Sequence, residues 1–312
     1  MAPPERDGSW VRPAASTPAQ PVWGHADGLR VGLAPMPGPR GLLRIYAPYL
    51  QHPPGRMINF IAVEPIVVGQ DGRGYSELEP SGLDGVRGKR FWSADDPSDS
   101  RPRPAEHPAR GVLSRRDDVD FLELFILIER FDNGAHPYLN VCFRSDRPFE
   151  VGIASFAHGD SAPLRFCVLT ATMGNYARLR RLHLANRIVL AHELWPRYDG
   201  DGFAPARLFP LADLTRTPQR HAIVSATPDE AEPEKATYAP FTASGWKYAG
   251  RRAVQSWRCE DPSEQLAVGV NGRTKYWASR SPIPGGISFE NFEMVEPMRD
   301  GQRFWFGVKP EE

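Results

Sequence analysis

Two carboxylates, Glu290 and Glu293, are braided among aromatics in segment 286–308. A strand there would set Ile287, Phe289 and Asn291 against Ser288, Glu290 and Phe292. Neither set is uniformly apolar or polar, so the pattern turns Glu290 or Glu293 toward an interior or a cleft, where a carboxylate can take part in proton transfer. His158 closes a predicted strand over 149–156 and lies two residues before Asp160. An imidazole of ordinary pKa, about 6.5, acts as a general acid once a carboxylate or carbonyl fixes its tautomer. Its plain reading is a turn residue ahead of Gly159. His136 is the alternate, although the preceding Asn133-Gly134 reads as a hairpin turn.

A second constellation is Asn175, Tyr176, Arg178 and Arg180. A strand over 176–184 would put Tyr176, Arg178 and Arg180 on one face. That face suits a carboxylated sugar: a tyrosine or histidine removes the proton beside a uronate while Arg and Asn neutralise the carboxylate. Tyr176 or His192 would be the base and Arg178 the carboxylate partner. The plain reading is a solvated strand face whose arginines oppose the chain's many acids. Seven aromatics, Trp195, Trp246, Tyr248, Trp257, Tyr276, Trp277 and Trp305, accumulate in the C-terminal half. Flat rings beside amides and carboxylates furnish sugar clefts, and about half of these should instead be core. Trp246, Trp277 and Arg273, next to the turn Asn271-Gly272, complete the binding candidates. His192-Glu193 and His158 with Asp160 are partial ligand pairs without a legible third member, so neither a metal nor a cofactor is predicted.

The stretch from Asp146-Arg147-Pro148 through Phe156-Ala157-His158 resembles one in the aldose 1-epimerases, the galactose mutarotase-like superfamily. There a strand after an Asp-Lys/Arg-Pro turn leads to the general-acid histidine. Gly286-Ile287-Ser288-Phe289-Glu290-Asn291 likewise resembles the C-terminal strand that carries their general-base glutamate. The resemblance covers most of residues 28–308 and implies an enlarged antiparallel β-sandwich with His158 as acid and Glu290 as base. The family's Asn-His-Xaa-Tyr-Phe-Asn pattern is missing at His158, where Gly159-Asp160 follow, while His136-Pro137-Tyr138-Leu139-Asn140 echoes a His-Xaa-Tyr-Xaa-Asn spacing.

The elements that must position these groups are strands. With 32 Pro and 28 Gly among 312 residues, and few runs of helical period, the chain reads as all-β, a large antiparallel β-sandwich with few short helices. Residues 1–27, rich in Pro, Ala, Ser and Gly, read as a flexible leader. Residues 28–312 read as a single sandwich domain with a long polar insertion at about 70–116. The most hydrophobic run, 121–131, predicts a central strand. Segments 188–195 and 276–279 are also expected as strands, 208–214 is the best helical stretch, and 286–308 reads as two strands joined by a turn with Asp300-Gly301 at its tip.

Basic and acidic residues, 38 of each, cancel, which gives no field for nucleic acid or an anionic membrane. No stretch is long and apolar enough to span a bilayer, and the N-terminus lacks a signal-peptide core, so the chain reads as soluble and cytoplasmic. The three cysteines are too scattered for a disulfide framework and are expected to be buried. The function expected is acid/base proton transfer on a mono- or oligosaccharide, with or without uronate units. It would be epimerase-like through His158 and Glu290, or lyase-like through Tyr176 or His192 with Arg178. The rival is a non-catalytic carbohydrate-binding or structural sandwich.

Overall fold

The computed structural model describes residues 1–311 other than 54, 100, 233, 234 and 278. Two antiparallel sheets carry the chain. The first runs, neighbour by neighbour, β1 (Glu5–Asp7), β2 (Trp10–Arg12), β3 (Val22–His25), β4 (Arg30–Gly32), β5 (Leu42–Tyr46), β6 (Asn59–Val67), β12 (Leu164–Thr172), β20 (Ser288–Val295), β19 (Ala267–Arg273) and β15 (Arg207–Pro210). The second runs β14 (Ile188–Leu190), β13 (Leu179–His183), β17 (Ala222–Pro228), β18 (Ala253–Cys259), β21 (Gln302–Pro310), β11 (Glu150–Ala157), β10 (Pro137–Arg144), β9 (Val119–Ile128) and β7 (Phe91–Ala94). Two further strands join it, β16 (Thr215–Arg216) on β17 and β8 (Val112–Arg116) on β9. Helical structure among the described residues is one turn of α-helix, α1 (Ala191–Leu194), and short 3₁₀ turns. The chain is therefore an all-β sandwich, as its composition predicts.

The period-2 rule explains the inner layer. On β9, Leu122, Leu124, Ile126 and Ile128 all enter the main core between the sheets, while Leu127 and Phe125 pack outward with Trp92, Ala94 and Tyr138. Apolar cover on both faces is why this strand reads as a continuous hydrophobic run rather than an alternation. Cys142, Cys167 and Cys259 are buried and unbridged, and burial pushes their thiols up to about 11, 12 and 12.

Several expected boundaries move. Residues 1–27 are no leader: they supply β1, β2 and β3 at the edge of the first sheet, and Trp23, fully buried, donates its indole N–H to the Ala109 carbonyl at 2.9 Å. Strands of three or four residues are too short to show a period amid Pro, Ser and Gly. The 70–116 segment likewise contributes β7 and β8 and buries Lys89, which is held by Asp132 at 2.8 Å and Glu79 at 3.2 Å. The expected 188–195 strand stops at Leu190 and continues as α1, the 208–214 stretch divides between β15 and a 3₁₀ turn, and 276–279 forms no strand among its described residues. β20 and β21 do flank Asp300-Gly301, but they lie in opposite sheets, so the 296–301 connection crosses the sandwich edge instead of closing a hairpin.

Candidate functional site

The broken alternation around Glu290 has a structural cause. Gly272 of β19 pairs with Phe289 and Val270 with Phe292, so β20 spends one more residue than its partner between these two points. That extra residue is a β-bulge at Glu290 and Asn291, and it lets Phe289 and Phe292, three apart, both reach the core. Asn271 on the short side accepts the Asn291 N–H through Oδ1 at 3.1 Å. The Glu290 side chain is buried, with Thr172 Oγ1 donating to Oε1 at 3.5 Å and Oε2 lacking a partner among the described residues. Burial pushes its carboxyl up to about 7, against the charge of Arg273, the Thr172 hydroxyl and the Asn175 backbone N–H, each of which favours the ionised form.

The sign of this shift gives a stability test. Below pH 4.5 the group is protonated in folded and unfolded chains alike and contributes nothing. As pH rises, the unfolded chain releases the proton first, so the folded state loses stability until the pH passes about 7. A shift of this size is worth roughly 3 kcal/mol when complete. Glu290→Gln should therefore flatten the fall of melting temperature between pH 5 and 7 relative to the parent. Parallel pH profiles for the two proteins would remove Glu290 as the titrating group.

Segment 173–178, between β12 and β13, is a compact turn rather than the start of the expected strand, because Met173 and Arg178 take φ of 73° and 51°. Tyr176 N–H donates to Met173 O at 2.9 Å and Leu179 N–H to Gly174 O at 3.0 Å. Gly174 donates to the Glu290 carbonyl at 3.1 Å, and a Cβ there would lie 2.8 Å from the Phe289 carbonyl oxygen, so the turn can press on the bulge only with glycine at this place. Tyr176, Arg178 and Arg180 thus do not share a strand face. The turn nevertheless drives Asn175, Tyr176 and Arg178 inward until each is essentially buried.

Their surroundings are polar and aromatic. Arg178 donates to Glu230 Oε1 at 3.0 Å and to the Tyr238 hydroxyl at 2.5 Å. Arg180, on β13, donates from Nη1 to Glu230 Oε1 at 2.7 Å and to Asp229 Oδ1 at 2.8 Å, and from Nε to the Ile287 carbonyl at 3.1 Å. Tyr176 packs against Tyr248, ring centroids 5.5 Å apart, and against His52 at 6.3 Å, while Tyr248 meets His52 edge-on at 5.1 Å. Burial, with Arg56 adding to it, drives the His52 pKa down to about 4, so its imidazole is neutral at pH 7. Burial raises the Tyr176 phenol, opposed by the nearby Arg56 guanidinium. Both ring nitrogens of His52, both amide atoms of Asn175, and the Tyr176 hydroxyl have no hydrogen-bond partner among the described residues. Buried polar atoms are nearly always paired, so unpaired atoms gathered on an imidazole, an amide and a phenol single this place out as a candidate site.

The remaining candidates divide. His136 and His158, read as alternates, lie side by side with ring centroids 4.2 Å apart. Asp160 holds His136 Nδ1 at 2.7 Å and Arg130 at 2.5 Å. This cluster sits where the chain enters β12, whereas Glu290 touches Thr172 at the other end of that strand. The ends of a nine-residue strand are on the order of 25 Å apart. His158 and Glu290 are therefore not brought together as an acid and base pair. His192 is exposed on α1, and the imidazole placed against Tyr176 is that of His52. Trp246 stacks on Tyr276 at 5.3 Å, and Arg273 lies under both Phe203 and the half-exposed Trp277, at 4.9 and 5.0 Å from their ring centroids. Glu293 is buried as well, but it is spent on Arg73, at 2.8 Å, and the Thr170 hydroxyl, at 2.7 Å.

Sequence reasoning missed His52, Glu230 and Tyr238. His52 lies in the Gln51-His52-Pro53 loop with no periodic pattern around it, and Glu230 is one of several acids in a polar stretch. Among the described residues, no group of three His, Cys, Asp or Glu is arranged to hold a metal ion, and no helix is long and apolar enough to cross a membrane. No protein-family model, curated protein or solved structure matches the chain.

Proposed function

We propose that the protein is a carbohydrate-directed enzyme whose buried Asn175, Tyr176, Arg178 and His52 cluster transfers a proton on a uronate-containing sugar. The reading rests on one observation: a turn packed against the β20 bulge gathers an unpaired imidazole, amide and phenol beside two arginines. In a β-elimination, the C5 proton leaves to a base, the C4–O4 bond breaks, a C4–C5 double bond forms, and the departing oxygen takes up a proton. Neutral His52 is the base. Tyr176, kept protonated by burial, donates to the leaving oxygen. Arg178 and Asn175 offset the charge that grows on the substrate carboxylate as the proton departs. His52 here takes the role expected of His192, and Tyr176 is the acid rather than the base.

Glu290 favours a second reading on the same sandwich, ring-opening epimerisation at the anomeric carbon, since a carboxyl near pH 7 is matched to general-base work. The test is to incubate the full chain with polygalacturonate, alginate and neutral monosaccharides. Ultraviolet absorbance from unsaturated uronate products supports elimination, and accelerated anomer exchange by NMR supports epimerisation. Glycan binding in a calorimetric titration without either signal leaves a non-catalytic carbohydrate-binding protein, and absence of all three overturns the carbohydrate reading.

A further inference from the structure

The carboxylate of Glu230 bridges two arginines. Its Oε1 accepts from Arg178 Nε at 3.0 Å and from Arg180 Nη1 at 2.7 Å, so one oxygen is shared by two guanidinium groups that come from the turn and from β13. Its Oε2 is buried and accepts nothing from the described residues. The two arginines differ from the glutamate in how firmly they are held. Arg180 is anchored from behind by the Ile287, Pro284 and Gly286 carbonyls, and the Arg178 side chain is fully buried against the Tyr238 ring, whereas the Glu230 side chain keeps 26% of its surface in solvent. Fixed donors facing a partly solvated acceptor are arranged as a receptor, and the acceptor is the exchangeable part.

We infer that Arg178 and Arg180 form a carboxylate-binding subsite that Glu230 fills in the free protein, and that the carboxylate of an acidic sugar binds there by displacing it. The inference rests on the carbohydrate reading above and adds a regulatory element to it. A guanidinium pair holds a carboxylate through charge-assisted hydrogen bonds, so an intramolecular carboxylate competes with a ligand of the same chemistry and leaves a neutral sugar unaffected. Apparent affinity is reduced by the fraction of protein in which the subsite is open.

Calorimetric titration of the full chain with galacturonate oligomers and with their neutral galactose counterparts tests this. Glu230→Gln keeps the shape and removes the competing charge, and it should tighten uronate binding about tenfold while leaving the neutral sugar unchanged. Glu230→Asp, one methylene shorter, should give a smaller gain in the same direction and serves if the amide variant does not fold. Asp118→Asn, a charge removal at an exposed turn, should change neither ligand. Uronate affinity that is unchanged or weaker in both Glu230 variants, with the neutral sugar still bound, overturns the subsite and leaves the carbohydrate reading in place. Equal gains for uronate in Asp118→Asn overturn it too, by reducing the effect to net charge. If no sugar binds to any variant or to the parent, the carbohydrate reading fails and the subsite with it.

Discussion

Under the elimination proposed above, Tyr176→Phe should lower kcat by roughly 100- to 10,000-fold while leaving the folded protein as stable as its parent or slightly more so. Both halves follow from one atom. The hydroxyl is buried and makes no well-formed hydrogen bond with a described residue, only the Arg56 guanidinium lying near it, so removing it takes away a desolvated polar group at little cost. The ring, which packs against His52 and Tyr248, is kept. A hydroxyl with a purely structural role would behave in the opposite way, with stability falling and activity following it. Initial rates by ultraviolet absorbance, read beside a urea denaturation curve, separate the two cases. Full activity in Tyr176→Phe would eliminate it as the proton donor. His52→Ala should match the loss in kcat, since elimination needs both the base and the acid, and the two losses should not add in the double variant because the groups act in one step.

Much of this arrangement was legible in the chain. The failure of alternation at Glu290 marks the bulge before any strand pairing is known, because period 2 is the one property a strand cannot hide. Asn175, Tyr176 and Arg178 were legible as residue types and mistaken in their geometry: the 176–184 stretch carries strand-like residues, and nothing local announces that Met173 and Arg178 adopt positive φ. His52 was not legible because it comes from the loop between β5 and β6 and meets Tyr176 only through tertiary packing. The pairing of His158 with Glu290 failed for a related reason. Each lies next to a strand end, but which end depends on register and strand order, and a single sequence does not name its partners. The first 27 residues concealed their strands behind turn-rich composition, although Trp10 and Trp23, two large apolar side chains in a polar stretch, were the available sign of a buried edge.

Trp257→Ala should cost about 3 to 5 kcal/mol of folding stability. Trp257 is fully buried on β18 between Phe304, at 6.5 Å, and Phe306, at 4.9 Å. Its indole N–H also crosses the sandwich to the Phe292 carbonyl of the opposite sheet at 2.9 Å. Truncation therefore opens a cavity between the layers and removes a buried hydrogen bond that joins the two sheets, which adds about 1 kcal/mol. Trp277→Ala, at a half-exposed ring, should fall within about 0.5 kcal/mol of the parent and provides the contrast. Urea midpoints at constant m-value measure both, and a Trp257 loss below about 1 kcal/mol would mean that this ring is not a tie between the sheets. The carbonyl it holds belongs to the residue that closes the β20 bulge, two positions after Glu290. Trp257→Phe keeps most of the volume and drops only the hydrogen bond, so it should lose far less stability, while any fall in catalytic rate beyond that loss measures how much the bulge, and the turn that presses on it, depends on being fixed from the other sheet.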